Sequence, residues 1–310
     1  MTADRLDAWR FTGLYWEHSQ ALGTFASRTG ETRARPVAAG RTVGWRVQGP
    51  RRCVGLYDNQ SNARRLCPGN RSPEVGAQCS GCASADPGRR IAQDRPGADG
   101  TFPTGVFRLY LALFGLQALK VGLTAKHRAD DRLLEQGAIA HLFLCEGSYL
   151  DIRRIEQLVS SLLGIPEQVQ WRRKRALWSE ATDRHPHAAV LNIAADQARG
   201  LLAGSPVTVL PEPTVKENLS SYGLDPEVLP QAPQVVTRIE DQDVLTGSVI
   251  GVIGKMLLLG ADEELLVIDT RGLEGWQLRR CEPGQRWHLA TPPTSESMQA
   301  AHAQPALFTL

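Results

Sequence analysis

Hydrophobic residues from position 106 onward fall into runs that are typical of β-strands. Residues 106–114 and residues 118–124 are two such runs, and Gly115 lies in the short turn between them. A glycine turn that joins two β-type runs predicts a hairpin. A third run, at residues 138–145, predicts another strand.

Two helices are predicted on either side of this third strand. Residues 126–136 are mostly polar and are followed by Gly137, a residue type that commonly ends a helix. Ser148 begins the second helix, with Asp151 three residues later in a capping-box arrangement. Apolar residues then recur at helical spacing, at Ile152, Ile155, Val159, Leu162 and Leu163. The order of hairpin, helix, strand and helix predicts a small α/β sandwich.

The rest of the chain divides into segments of different character. We predict an N-terminal β segment (1–50), a cysteine-rich segment (51–105), the α/β core with its following helices (106–205), a proline-rich linker (206–234), a small C-terminal β-barrel (235–290) and a mobile tail (291–310). The barrel is predicted because this segment has about four or five short β-type runs with glycines at their bends, a pattern typical of small barrels. The expected fold class is α+β.

Composition narrows the cellular context. The chain has 310 residues, 42% hydrophobic and 22% charged, and a net charge of only +2, so any nucleic-acid surface must be local. No apolar run approaches the roughly 20 residues that cross a bilayer, and the N-terminus lacks the apolar core of a secretory signal. We therefore expect a cytoplasmic protein without membrane contact, whose six cysteines are ligands or free thiols.

Four of the six cysteines are clustered in a segment that has few apolar residues of its own. They are Cys53, Cys67, Cys79 and Cys82, and the last two form a Cys-x-x-Cys pair. Four thiolates predict a closed structural zinc site, which would supply the folding free energy that the segment lacks. The alternatives are a redox pair or unrelated thiols. Cys281 and Cys145 are expected to be buried spectators, with Cys145 as a possible nucleophile.

Polar residues of the predicted core form a candidate site. Tyr110 lies in the middle of the first strand, and Gly122, late in the second strand, would let a ligand approach the backbone. On the first helix, Arg128, Arg132 and Gln136 share one face because they are four residues apart.

Glu156 borders the buried face of the second helix, since Ile152 and Val159 lie four residues before it and three after it. A carboxylate in that position needs a metal ion, an arginine or several hydrogen-bond donors. A phenol, an arginine and a carboxylate suit phosphodiester hydrolysis, with Glu156 holding magnesium or manganese, Arg132 offsetting phosphoryl charge and Tyr110 positioning water. The structural alternative is a half-buried tyrosine and an ion pair between Arg132 and Glu156.

A basic cluster follows the core at residues 170–178. Trp171, Arg172, Arg173 and Lys174 belong to it, and they could grip a phosphate backbone while a tryptophan stacks on a base. The alternative is a solvated helix start with buried tryptophans.

The core resembles the GIY-YIG nucleases. Leu109-Tyr110-Leu111 stands where their Gly-Ile-Tyr motif lies, and Lys120-Val121-Gly122 stands where their Tyr-Ile-Gly motif lies. Arg132 and Glu156 match the arginine and the metal-binding glutamate of those enzymes. Two positions differ, because Lys120 replaces the second motif tyrosine and Gln136 replaces a histidine or tyrosine.

A second resemblance is carried by Tyr110-Leu111-Ala112, Leu119-Lys120-Val121-Gly122-Leu123-Thr124, Arg132, Gln136-Gly137-Ala138, Ile155-Glu156 and Trp171-Arg172. Over roughly residues 45–180 the chain resembles domain-of-unknown-function family 2797, which combines a cysteine-rich zinc-binding segment with a GIY-YIG-like core. The resemblance implies a metal-dependent nuclease for DNA or RNA, with Tyr110, Lys120, Arg132 and Glu156 as catalytic residues. Two alternatives remain open: a nucleic-acid-binding protein that kept the fold without catalysis, or an enzyme that uses the same pocket on a small molecule.

Overall fold

The computed structural model describes residues 9–58, 63–86, 101–115, 118–170, 173–174, 185–211, 213–224, 233–261, 264–282 and 286–295. Trp171 and Arg172 of the basic cluster, most of the tail at 291–310 and all of residues 87–100 lie outside this part of the chain. The chain forms two compact units, one made of Met1–Thr101 with Ala232–Glu296 and one made of Phe102–Gln231 with Ser297–Leu310.

The strands and helices are numbered along the chain. The strands are β1 (Trp9–Glu17), β2 (Gln20–Ala26), β3 (Thr32–Pro36), β4 (Thr42–Gln48), β5 (Leu56–Asp58), β6 (Ala63–Arg65), β7 (Phe107–Leu113), β8 (Leu119–Ala125), β9 (Ala140–Gly147), β10 (Thr208–Val209), β11 (Lys216–Glu217), β12 (Gln234–Val236), β13 (Val244–Ile253), β14 (Met256–Ala261), β15 (Glu264–Asp269), β16 (Gln277–Arg280) and β17 (Thr294–Ser295). The helices are α1 (Ser80–Ala85), α2 (Ala129–Gln136), α3 (Tyr149–Leu163) and α4 (His185–Leu202), with 3-10 turns at Ser220–Tyr222 and Thr270–Gly272.

The first unit is built on one large sheet of ten described strands, in the order β17-β12-β15-β14-β13-β4-β16-β1-β2-β3. Its pairs are antiparallel except β12 with β15. The indole of Trp16 donates to the carbonyl of Gly254 at 2.8 Å, which ties β1 to the turn between β13 and β14. The short hairpin β5–β6 and helix α1 carry the cysteine-rich segment.

The prediction of a separate C-terminal barrel is wrong. Strand β4 pairs with β13 on one side and with β16 on the other, so the C-terminal strands share one sheet with the N-terminal strands. Among the strands that the structure describes, the two ends of the sheet, β17 and β3, do not pair, so the sheet is not closed. A strand edge has unpaired backbone N–H and C=O groups that can bond any strand of matching length. The edge of β4 is paired by β13, about 200 residues away in sequence, and a sequence pattern does not indicate such a distant partner.

The second unit contains the predicted core. Its sheet has the order β10-β9-β7-β8, and β11 also pairs with β9. The helix ends predicted at Ser148 and Gly137 are present: the Ser148 hydroxyl accepts from the Asp151 backbone N–H, and Gly137 adopts the left-handed conformation, as does Gly164 at the end of α3. Of the helices expected to follow the core, α4 is described, whereas residues 175–184 lie outside the described part of the chain.

The segment predicted as a proline-rich linker belongs to this second unit. It contributes β10 and β11 to the sheet. The hydroxyl of Tyr222, in the 3-10 turn, donates to the carbonyl of Ala138 at 2.7 Å. Tyr222 is buried, so the described part of this segment up to residue 224 packs as part of the core. No helix within the described ranges is both long and apolar enough to span a membrane.

Candidate functional site

Three polar side chains meet on one face of the second unit's sheet. Tyr110 of β7 pairs across the strands with Gly122 of β8, and Lys120 lies two residues before that glycine on the same face. The ammonium of Lys120 donates to the Tyr110 hydroxyl oxygen at 3.0 Å and to the side-chain oxygen of Gln136 at 2.9 Å. The Gln136 amide donates to the same phenol oxygen at 3.0 Å. We call Tyr110, Lys120 and Gln136 the phenol triad.

The geometry gives Gly122 a role different from the expected one. A β-carbon at this position would lie 2.2 Å from the hydroxyl oxygen of Tyr110 and 2.3 Å from its ring carbon Cζ. The tyrosine ring therefore occupies the space over Gly122. Tyr110 itself is only 1% exposed, so the missing side chain admits the phenol into the sheet face rather than a ligand.

Glu156 points from α3 into a nearly closed environment, with 5% of its surface exposed. Its carboxylate accepts from the guanidinium of Arg153, which also donates to Glu167 at 2.7 Å. Burial raises the pKa of Glu156 above its ordinary value, and the positive charge of Arg153 opposes this rise. The charge of Lys120 also acts on Glu156, so the carboxylate and the phenol triad are electrostatically connected.

Arg153 and Glu167 were not predicted from the sequence. Arg153 is three residues before Glu156 on the same helix, so the i,i+3 spacing was the signal that could have identified it. Glu167 follows the end of α3, where helical spacing no longer predicts contacts. Glu156 pairs with Arg153, and not with Arg132 as the structural alternative had it.

Arg132 and Arg128 lie together on α2. Both donate to the carboxylate of Glu135, at 2.9 Å and 3.0 Å. The side chain of Arg132 is 44% exposed, in contrast to the buried Glu156. Gln136 was predicted on the same helix face, and its side chain belongs to the phenol triad instead.

The structure describes two cationic residues of the basic cluster, Arg173 and Lys174, and neither is exposed as a solvated helix face would require. Lys174 is 8% exposed, its ammonium donates to the backbone carbonyl of Gln136 at 3.1 Å, and it lies 3.6 Å from the centre of the Phe114 ring. A cation at the last carbonyls of a helix is stabilised by the helix dipole. Arg173 is half-buried. Lys174 therefore binds the end of α2, next to the phenol triad.

A buried histidine on the same sheet face escaped the sequence reasoning. His141 pairs with Ala112 across the strands; its Nε2 lies 3.0 Å from a carboxylate oxygen of Asp130, and its Nδ1 lies 3.1 Å from the side-chain nitrogen of Asn218. An amide nitrogen can only donate, so Nδ1 accepts and Nε2 carries the proton that bonds Asp130. The hydrogen bond from His141 lowers the pKa of Asp130, and burial opposes this effect. The only sequence signal for this group was His141 itself, a single histidine in the otherwise apolar run at residues 138–145.

The four clustered cysteines form a second candidate site, in the first unit. All four side chains are buried, and their sulfur atoms lie within 4.8 Å of one another. Tetrahedral zinc with sulfur ligands at about 2.3 Å requires sulfur separations of about 3.8 Å, and the sulfurs of Cys67 and Cys79 are 3.9 Å apart. The backbone N–H groups of Gly55 and Cys79 donate to the sulfur of Cys53. This group can hold a metal ion such as zinc.

Thiol chemistry at Cys145 is disfavoured. Its side chain is fully buried, and burial raises the pKa of its thiol to about 12. A thiol with such a pKa stays protonated at neutral pH, and the thiolate is the nucleophilic form. Cys145 is therefore a buried spectator.

Comparison with known proteins identifies one relationship. Residues 98–278, more than half of the chain, match the model of a family described as "Protein of unknown function (DUF2797)". The match spans parts of both compact units and begins after the four clustered cysteines. No curated protein and no solved structure matches the chain.

Proposed function

The chain belongs to the DUF2797 family, and we propose that it is a metal-dependent phosphodiester hydrolase acting on DNA or RNA, with its centre at the phenol triad and Glu156. The observation that carries the proposal is the pair of donors on the Tyr110 hydroxyl oxygen, one of them the ammonium of Lys120. A GIY-YIG-like arrangement is supported by the strand order, in which the hairpin β7–β8 is extended by β9 next to β7.

In this proposal Tyr110 positions the attacking water through a hydrogen bond of its hydroxyl. Lys120 and Gln136 direct N–H groups at the phenol oxygen, so they hold the phenol in place, and Lys120 adds a positive charge beside it. Lys120 takes the part that the second motif tyrosine has in the GIY-YIG nucleases. Arg132, exposed on α2, attracts the phosphodiester to this face.

The carboxylates available to a divalent cation are Glu156 and Glu167. Both already share one cation, the guanidinium of Arg153, so this corner of the unit attracts positive charge. Magnesium in nucleic-acid enzymes typically uses one or two carboxylates together with waters and substrate phosphate, which fits this pair. The ion would act as a Lewis acid on a phosphoryl oxygen. Arg153 would hold the carboxylates in position and release one of them.

A cleavage screen tests the hydrolase directly. Labelled single-stranded, duplex and branched DNA and single-stranded RNA are incubated with the full chain and magnesium or manganese. We expect cleavage of at least one substrate, and its loss in Glu156→Gln. Glu146→Gln is the matched control, because it removes a carboxylate that pairs with Arg108 and Lys126 in the same unit. Absence of cleavage by the unaltered chain on every substrate would overturn the proposal.

A second candidate is a nucleic-acid-binding protein without catalysis. It is favoured by the closed hydrogen bonding of the site: Lys120 donates to both other members of the phenol triad, and Glu156 is paired with Arg153. Buried polar groups that satisfy one another are also what a purely structural network requires. Binding of an oligonucleotide without any cleavage would favour this candidate.

A small-molecule enzyme would have to rely on Lys120 and Tyr110, because Cys145 is protonated.

For the four clustered cysteines we propose a structural zinc ion. The segment that contains them, with the short strands β5 and β6 and helix α1, has few apolar residues, and four thiolates would complete a closed tetrahedral shell. Elemental analysis of the protein purified in non-chelating buffer is expected to give about one zinc per chain. A zinc content near zero would refute the proposal.

A further inference from the structure

The first unit has a pocket on a face of its large sheet, remote in sequence from the phenol triad. The pocket has a volume of about 320 Å³ and is formed by side chains of β1 to β4 and β16. Its lining combines three aromatic rings with three guanidinium groups: Trp9, Phe25, Trp45, Arg33, Arg35 and Arg280. None of these residues was singled out by the sequence motifs.

Strand register explains why these side chains converge. Trp45 of β4 is directly opposite Arg280 of β16, and Phe25 of β2 is directly opposite Arg33 of β3. Cross-strand partners lie on the same face of a sheet, and so do residues two apart, which adds Arg35 to this face. Aromatic and cationic groups are thereby interleaved on adjoining strands.

The guanidinium groups differ in how far they are neutralised. Arg33 is bonded to Glu31 at 2.9 Å and its guanidinium carbon lies 4.2 Å from the centre of the Trp9 ring. Arg35 donates to a backbone carbonyl, that of Ala34. No carboxylate in the described part of the chain pairs with Arg35 or Arg280. Two exposed positive charges at the pocket are therefore available to an anion.

The sequence that surrounds the pocket residues is rich in arginine and poor in acidic residues. Residues 9–86 contain 11 arginines, no lysine and only 5 acidic residues, although the whole chain carries a net charge of +2. Guanidinium groups bind phosphate oxygens in a bidentate manner and also stack on planar rings. The local positive charge that nucleic-acid binding requires at such a low net charge is thus concentrated in the segment that supplies β1 to β4 of the pocket.

We infer that this pocket binds one nucleotide unit of a single-stranded nucleic acid, with the base on Trp45 and the phosphate at Arg35 and Arg280. The bases of a duplex are stacked on each other and cannot use an aromatic platform, so single strands are the matching form. The volume lies near the lower end of small-molecule pockets, which suits one base with its sugar and phosphate. The inference names a ligand site for the second candidate function and holds with or without hydrolysis.

Fluorescence anisotropy tests the site in the full chain carrying Glu156→Gln, so that the proposed hydrolysis cannot remove the probe. Labelled oligothymidine DNA, oligouridine RNA and a duplex are titrated at several salt concentrations. We expect both single strands to bind more tightly than the duplex, with the ratio between DNA and RNA showing which is preferred. Equal affinity for the duplex would overturn the inference, whatever the outcome of the cleavage screen.

Substitutions distinguish the contribution of base stacking to single-strand binding from the contribution of the arginine charges. Trp45→Ala is expected to weaken single-strand binding at least about fivefold, as removal of one base–aromatic stack does, while Trp45→Phe keeps a ring and most of the affinity. The double variant Arg35→Gln with Arg280→Gln should lower the slope of log K against log salt by about 1.4, or about 0.7 for each phosphate that the protein no longer neutralises.

The matched control is Arg238→Gln, because Arg238 is 72% exposed in the same unit and lies outside the pocket. It should leave both affinity and salt slope unchanged. Competition with adenosine monophosphate should displace the oligonucleotide at lower concentration than inorganic phosphate does. If Trp45→Ala and the double arginine variant bind like the control, or if phosphate competes as well as the nucleotide, the inference is overturned.

Discussion

The ammonium of Lys120 lies 3.0 Å from the hydroxyl oxygen of Tyr110, to which it donates a hydrogen bond, and it donates a second one to Gln136. Under the proposed GIY-YIG-like arrangement, Lys120 would stand where those nucleases have their second motif tyrosine. The side chain keeps a polar contact with Tyr110, and its positive charge also acts on Glu156.

Replacement of Lys120 by methionine tests this interaction. Methionine keeps the approximate length of the side chain and removes the charge, so Tyr110 no longer has its charged donor. If the hydrolase proposal holds, we expect the cleavage rate to fall about 10²-fold, the usual range for removal of one electrostatic interaction with a reacting group. Single-turnover cleavage measures the effect, and Lys126→Met, on an exposed lysine of the same unit, is the control. An unchanged rate would remove Lys120 from the mechanism.

Gly122→Ala is expected to destabilise the second unit. Its methyl group would meet the Tyr110 hydroxyl oxygen at 2.2 Å, and overpacking of this kind costs about 1–3 kcal/mol. Tyr110→Phe should not rescue the variant, because the ring carbon Cζ remains 2.3 Å away. Urea denaturation measures the free energy of unfolding.

Gly200→Ala is the matched control for that substitution. Gly200 lies in α4, and a β-carbon there meets no atom within 4 Å. Alanine favours the helix over glycine by about 1 kcal/mol, so this variant should be slightly more stable. If both variants destabilise equally, the close approach of Tyr110 to Gly122 is not the cause.

The raised pKa of Glu156 predicts a pH dependence of stability. A carboxyl group whose pKa is higher in the folded state binds more protons there, so its contribution to stability falls away as the pH rises from the unfolded value through the folded value. The decrease should begin near the ordinary value of 4.5. Glu156→Gln removes this titration, because its amide stays neutral.

We therefore expect the stability difference between Glu156→Gln and the unaltered chain to shift in favour of the variant as the pH rises above about 4.5. Urea denaturation at a series of pH values measures the difference. A shift in the opposite direction would mean that the ion pair with Arg153 outweighs burial and lowers the pKa. Asp151→Asn, in the first turn of the same helix, where the side chain is 25% exposed, would report any general effect of removing a carboxylate.

Removal of metal is expected to destabilise the first unit. If the proposed zinc ion is bound, chelation leaves four buried thiols without the metal that they share, and the segment around them has little apolar surface to stabilise it. Cys82→Ser should reproduce the effect of a chelator on the melting temperature and should lower the zinc content. Cys281→Ser is the control, since Cys281 is outside the cluster and only half-buried. Equal behaviour of the two variants would contradict a zinc site.

Local structure in the second unit was predictable because it depends on neighbours in sequence. The caps at Ser148 and Gly137 and the hairpin around Gly115 follow from backbone conformation and short-range hydrogen bonds. The cysteine cluster was predictable for a related reason, because ligand residues of one type recur within a short segment. These inferences need no knowledge of which distant segments meet.

Sequence by itself therefore determined the α+β class, the hairpin–helix–strand–helix order and the grouping of the four cysteines. Only the tertiary structure decided that Glu156 pairs with Arg153 rather than Arg132, and that Gly122 accommodates Tyr110. Tertiary structure alone also joined β4 to β13 and β16, which brought Trp45 opposite Arg280. The reason is physical: sequence patterns encode which face of an element is buried, whereas partners across a sheet are chosen by register and packing between segments far apart in the chain.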